Sequence, residues 1–146
     1  MEIRDTLDRV KQFWNKGDPQ GASDVYADDF VFHSTTLAQP LQGHEELFGY
    51  INEIRNAFPD FRLNLDEVIT EGDKLAVRWT WTGTHQGDFQ GIAPTGRKVT
   101  QTGMTLVKRM SGKTVEEFVA TDQYSLLEQL GVVPARPSQA KTRTAG

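Results

Sequence analysis

Between Leu75 and His85 the chain alternates with period two: Leu75, Val77, Trp79, Trp81 and His85 hold odd positions, and Ala76, Arg78, Thr80, Thr82 and Thr84 even ones. Successive strand side chains point to opposite faces, so this run reads as a half-buried strand with one aromatic and one mostly polar face. Further β-prone segments lie at Phe61–Thr70, Val99–Arg109 and Thr114–Tyr124, with turn signals at Glu71-Gly72-Asp73 and Ser111-Gly112. Ahead of them the pattern is helical. Ile3, Leu7, Val10 and Trp14 recur at helical spacing, Gly17 stops that helix, and Asp18-Pro19 starts a second. A strand over Phe30–Thr36 puts Phe30, Phe32 and Ser34 on one face and His33 on the other. From His44 to Phe58, Leu47, Tyr50, Ile51, Ile54 and Phe58 predict a third helix, ended by Pro59. A short last helix fits Ser125–Leu130, closed by Gly131. Helices first and antiparallel strands afterwards make an α+β domain. With 146 residues there is room for one domain, over 1–133, and Pro134–Gly146, which lacks large apolar side chains, reads as a flexible tail.

If Ser111-Gly112 is a two-residue hairpin turn, Gln101 falls opposite Asp122, Gly103 opposite Ala120 and Thr105 opposite Phe118. Paired residues share a face, so this register gathers a carboxylate, an amide and two very small residues, the composition of a sheet that leaves room for a ligand. A one-residue slip would pair Thr100 with Asp122 instead. On the apolar side of the sheet Asp122 would lose hydration in its charged form, its pKa would rise, and it could move a proton near neutral pH; at a wet strand end it would do neither. His33 and His85 also fall on predicted strands, His85 in phase with Trp79 and Trp81, and either could polarise a carbonyl or orient Asp122. His44, at a helix start, is expected to face solvent. Trp14, Phe32, Tyr50, Phe58, Trp79, Trp81, Phe89 and Phe118, with Ile92 of the glycine-bearing loop after His85, supply a core and, with Gln101, the wall of a pocket for a flat apolar ligand.

Sixteen Lys and Arg against 20 Asp and Glu give a net charge of -4, the wrong sign for a nucleic-acid or anionic-membrane footprint. With no cysteine there is no disulfide, thiolate nucleophile or cysteine-held zinc, and the three histidines lack HxxxH or HxH spacing, so no metal site is expected. Neither a GxSxG elbow nor a GxxxxGK phosphate loop occurs. No signal-peptide pattern or membrane-length apolar run is present, and a cytoplasmic protein is expected. The expected partners are a small hydrophobic molecule and, through Met104, Leu106, Val115 and Val119 on the second face of the last strands, another copy of the chain.

With His33 on the first strand, Gly43 before the third helix, AFPDF at Ala57–Phe61, GTHQGDFQGIAPTGRKV at Gly83–Val99, SGKTVEEFVATD at Ser111–Asp122 and LLEQLGVVP at Leu126–Pro134, the chain resembles the SnoaL-like polyketide cyclases, also called ester cyclases. The resemblance implies a cone-shaped fold of the nuclear transport factor 2-like or cystatin-like kind, a curved antiparallel sheet wrapped around a helix with a deep pocket, commonly homodimeric. It also implies intramolecular aldol ring closure of a polyketide-like carbonyl substrate, with no metal or cofactor, driven by an Asp that ends the pattern Glu-x-aromatic-x-x-x-Asp. Glu116, Phe118 and Asp122 match that pattern, so the resemblance makes Asp122 the acid/base, with His33, His85 or Gln101 stabilising enolate oxygen. Two positions depart from it: Ala120 stands where the best-known cyclases carry histidine, and Phe118 where tryptophan is frequent. The fold also hosts non-catalytic binders of hydrophobic ligands, isomerases and hydrolases. An epoxide hydrolase of this kind would need an Asp-Arg-Asp cluster in the pocket, and Arg78 is out of phase with Trp79 for that purpose.

Overall fold

Helix α1 (Ile3–Lys16) buries Phe13 and Thr6 and ends where Gly17 takes a left-handed φ of 72°. The second helix, α2 (Ala22–Val25), is a single turn that leads directly into β1 (Tyr26–Ser34), which starts four residues before the predicted strand. A two-residue strand β2 (Leu41–Gln42) precedes α3 (Gly43–Ala57), which buries Leu47, Ile51 and Ile54 of the predicted stripe together with Phe48 and Ala57, while Tyr50 is half-buried and Phe58 caps the helix end. Then come β3 (Arg62–Glu71), β4 (Lys74–Thr84), β5 (Lys98–Met110), β6 (Lys113–Thr121) and α4 (Gln123–Leu130). This computed structural model describes residues 1–137. The six strands form one curled sheet in the order β2-β1-β6-β5-β4-β3, antiparallel except for the β1–β6 pair. The α+β class predicted from the pattern is the class observed, and no helix among the described residues is long and apolar enough to cross a membrane.

The alternation in β4 is realised: Leu75, Val77 and Trp81 are buried and Arg78 and Thr82 exposed. Cross-strand pairing extends it, with Trp79 beside Gly103 and Trp81 beside Gln101 on the concave face. That face and the helices enclose two large apolar clusters, one around Phe58, Phe61, Trp81 and Phe89, the other around Phe13, Tyr26, Phe30 and Phe32. Trp14 and Tyr50 pack against both.

The β5–β6 register corrects the expectation. The turn forms as predicted: Ser111 and Gly112 both take positive φ, 53° and 80°, and Met110 pairs with Lys113. After the Arg109–Thr114 pair, however, the next partners are Lys108 and Glu116, so Val115 is an extra residue, a β-bulge. Beyond it Val107 pairs with Glu117, Thr105 with Val119 and Gly103 with Thr121, so neither the predicted partners nor the alternative slip is realised. A single residue exchanges the faces of everything downstream. Glu117, Val119 and Thr121 therefore point inward, and Phe118 and Ala120 outward.

The convex face carries one aligned row, His33, Phe118, Leu106, Ala76 and Ile69, across five strands. Leu106, Phe118, Ile69 and the neighbouring Met104 are exposed. Val119, expected on this face, lines the interior instead, because the bulge re-phases it. Of the expected tail, Pro134 accepts a hydrogen bond from the Tyr124 hydroxyl at 2.8 Å, and Arg136 pairs with Glu128 at 2.8 Å and lies over the Tyr124 ring. Residues 138–146 lie outside the described residues.

Candidate active site

The inner residues of β3 to β6 are mostly apolar or aromatic, with Gln101, Thr105, Thr114, Glu117 and Thr121 among them, and they do not meet the helices everywhere across the molecule. A cavity of about 120 Å³, open to solvent at its mouth, runs between them. Trp14, Phe32, Tyr50, Trp79, Trp81 and Phe89 form its walls, and Gln101 is part of the lining. At one end the lining includes half-buried or exposed Thr36, Gln90 and Gln123; at the other, Thr6, Leu75, Thr114 and Glu117 are all buried. Space over Gly103 is not left for a ligand, as the pairing argument expected: a Cβ there would sit 2.2 Å from Trp79 Cζ2. The indole fills it and donates from Nε1 to the Thr105 hydroxyl at 2.9 Å.

Glu117 brings the only carboxylate among the residues lining this cavity. It is 8% exposed, and burial pushes its pKa from 4.5 up to about 7, with no offsetting cation or hydrogen-bond donor. Tyr26, itself buried, is held well above the ordinary phenol value by burial and by the charge of Glu117. Hydroxyl groups sit at both ends: Thr6 and Thr114 beside the sealed end, and Ser34, Thr36 and Tyr50 in a chain with Ser34–Thr36 at 3.0 Å and Thr36–Tyr50 at 3.3 Å. Such a site can take and return one proton near neutral pH within a mostly apolar space.

Several expected site residues stand elsewhere. Asp122 lies beyond the strand as the N-cap of α4, its Oδ1 accepting from the Ser125 N–H at 3.0 Å, with its side chain 45% exposed and 3.5 Å from Arg136. It does not line the cavity. His33 is on the convex face, stacked on Phe118 at 4.5 Å and bonded through Nε2 to Glu116 at 2.8 Å. Phe118 is consequently outside as well. His85 is fully buried but points into the loop, where its Nδ1 accepts from the Thr95 N–H at 3.1 Å, which leaves the proton on Nε2. Phe58 is behind the wall, 5.0 Å from Trp81, and Ile92 packs on the same cluster and bridges Phe89. His44, expected in solvent, is half-buried and donates from Nε2 to the Tyr26 carbonyl at 3.1 Å. Arg78 pairs with Asp66 and Glu67 on the convex face, so the cluster that epoxide hydrolysis needs is absent from the cavity. The described residues contain no group of three or more His, Asp or Glu side chains placed to hold a metal.

Glu117 was missed because its position depends on the bulge. Read with an unbroken ladder, it belongs to the convex face beside the solvated Lys113 and Val115. Its only sequence signal is the doubled Glu116-Glu117 in an otherwise β-prone strand, of which one must face the core in any register.

Known proteins agree with this architecture. AclR of Streptomyces galilaeus, provisionally a hydroxylase, superposes with a TM-score of 0.79 and 27% identity over 97% of this chain and 88% of its own. IdmH of Streptomyces antibioticus, provisionally a polyketide cyclase, does so with 0.78 and 27% over 90% and 100%. A protein with a ketosteroid isomerase-like fold from Catenulispora acidiphila, at 0.74 and 14% over 90% and 97%, shares the fold. No curated protein sequence matches the chain. The family of SnoaL-like polyketide cyclases matches residues 4–130, and with this sheet, cavity and set of relatives the chain belongs to that family.

Proposed function

We propose that the protein is an enzyme of acid/base carbon chemistry, closing a ring in a polyketide-like carbonyl substrate by an intramolecular aldol reaction, with Glu117 rather than Asp122 as the acid/base. One observation carries this reading: a carboxyl without a charge partner stands at the sealed end of an aromatic-walled cavity, with a pKa near 7. The Glu117 carboxylate removes a proton from the carbon beside a carbonyl. The resulting enolate carbon attacks a second carbonyl of the same molecule, one C–C bond forms, and the new alkoxide takes the proton back from Glu117. In this reading the Thr6 and Thr114 hydroxyls, which line the cavity with Glu117, hydrogen-bond the enolate oxygen, and the apolar walls keep the charge out of water.

Glu117→Gln preserves shape and removes the base. It is expected to lower turnover by about 10²- to 10⁴-fold while ligand affinity stays within a few fold, whereas Asp122→Asn leaves turnover within a few fold. In the wild type kcat/KM is expected to rise with pH around a midpoint of about 7. A screen of diketones and polyketide-like esters reads both. Unchanged turnover in Glu117→Gln rejects the assignment. Binding without turnover across the series makes the protein a non-catalytic carrier of hydrophobic ligands. The convex row of Phe118, Leu106 and Ile69 supports a homodimer formed face to face, flanked by Glu116, Lys108, Lys74 and Glu71, whose mixed signs let a rotated copy pair.

A further inference from the structure

Gln101 is 2% exposed and forms part of the cavity wall. Its amide nitrogen donates to the Asp122 carbonyl at 2.9 Å and to the Thr121 hydroxyl, which itself donates to the Thr102 carbonyl at 3.2 Å. A carbonyl only accepts, so reversing the amide would set two oxygens against each other, and the orientation is fixed. Both amide protons are used within the protein, and Oε1 is left buried with no donor. A buried acceptor without a partner is expensive and rare in native proteins. Gln123 Nε2 donates to Gln90 at 3.0 Å, and the Thr121 proton is spent as above. Along β5, Gln101 is six residues from Val107, the partner of Glu117, which at the rise of a strand separates the two positions by about 20 Å of backbone.

We propose that Gln101 Oε1 is a recognition subsite that accepts a hydrogen bond from an O–H or N–H of the substrate, a phenol, enol or amide, at the end remote from the carbon that meets Glu117. It rests on the cavity as the substrate site but not on the chemistry at Glu117. Molecules that present an ether or a bare C–H at that end leave Oε1 unpaired and are selected against.

The test compares 2-naphthol with its methyl ether, 2-methoxynaphthalene, which share an aromatic body and differ in the donor. Quenching of the cavity tryptophans reports binding to wild type, Gln101→Met and Glu117→Leu. Wild type is expected to prefer the naphthol by about 10- to 100-fold, Gln101→Met to reduce that preference to about 2-fold or less, and Glu117→Leu to keep it. Equal affinities in wild type overturn the proposal, as does binding of neither probe. A preference that survives Gln101→Met and disappears in Glu117→Leu moves the donor contact to Glu117 and also overturns it. Should Gln101→Met not fold, Gln101→Asn withdraws the acceptor by one methylene and is expected to reduce the preference in the same way; a preference unchanged in Gln101→Asn and lost in Glu117→Leu overturns the proposal. Failure of the acid/base reading shows differently, as turnover indifferent to Glu117→Gln with the naphthol preference intact.

Discussion

Glu117 and Asp122 are five positions apart on one segment and differ in everything that sets their chemistry. One is buried against the cavity; the other caps a helix in water. The consequence for stability follows from linkage. In the unfolded chain Glu117 titrates at its ordinary 4.5, and in the folded protein at about 7. Between those values the folded state holds a proton that the unfolded state has released, so stability falls as pH rises through the window, by roughly 3 kcal/mol at 1.36 kcal/mol per unit. Glu117→Gln is neutral throughout and escapes that loss. It is expected to unfold with wild type at about pH 4 and at clearly higher urea at about pH 8; a gap that does not widen between these pH values contradicts the burial of the carboxyl. For Asp122 the prediction is that of a cap: Asp122→Ala costs about 1 kcal/mol in urea unfolding, and Asp122→Asn, an equally good cap, costs little.

At the scale of the element, β6 is decided by Val115. The alternating residues of β4 made that strand legible from its own pattern, and helix α3 was legible from its apolar stripe, because both periodicities belong to a single segment. The two-residue turn at Ser111-Gly112 was legible for the same reason. A bulge is different. Val115 is no better or worse as a strand residue than Val119, and its exclusion from the ladder is set by which of Glu116 and Glu117 the core and β1 accept. The start of α4 was misplaced for a related reason: Asp122 was read as a strand residue, although Asp three residues before Ser125 is also an N-cap signal. Strand β5 offers a separate test. Gly103→Ala drives a methyl into the Trp79 ring and towards the Ala120 carbonyl, 2.8 Å away. It should cost about 1 to 3 kcal/mol, break the bond from Trp79 to Thr105, and shift tryptophan fluorescence. An unchanged spectrum and stability would mean that the indole lies elsewhere.

Across the whole molecule, the curl of the sheet separates a concave face that lines the cavity from a convex face that exposes Ile69, Met104, Leu106 and Phe118. If the convex row is an interface, Leu106→Glu puts a like charge at its centre on both copies. Light scattering at micromolar concentration is expected to show a dimer for wild type and a monomer for the variant, with naphthol binding retained; a wild-type monomer removes the dimer. The amino-acid pattern alone determined the order of the longer helices and strands, the aromatic face of β4 and the family, while the two-residue β2 left no sign in it. It also placed Trp14, Phe32, Tyr50, Trp79, Trp81, Phe89 and Gln101, which do line the cavity. Each of these follows from local periodicity, turn chemistry or a motif contained within one segment. Which carboxylate enters the cavity, that His33 and Phe118 stand outside it, and that Gln101 keeps an unpaired oxygen were decided only by tertiary structure. Register and burial arise from contacts between strands distant in sequence, and a period of two turns one inserted residue into an exchange of faces.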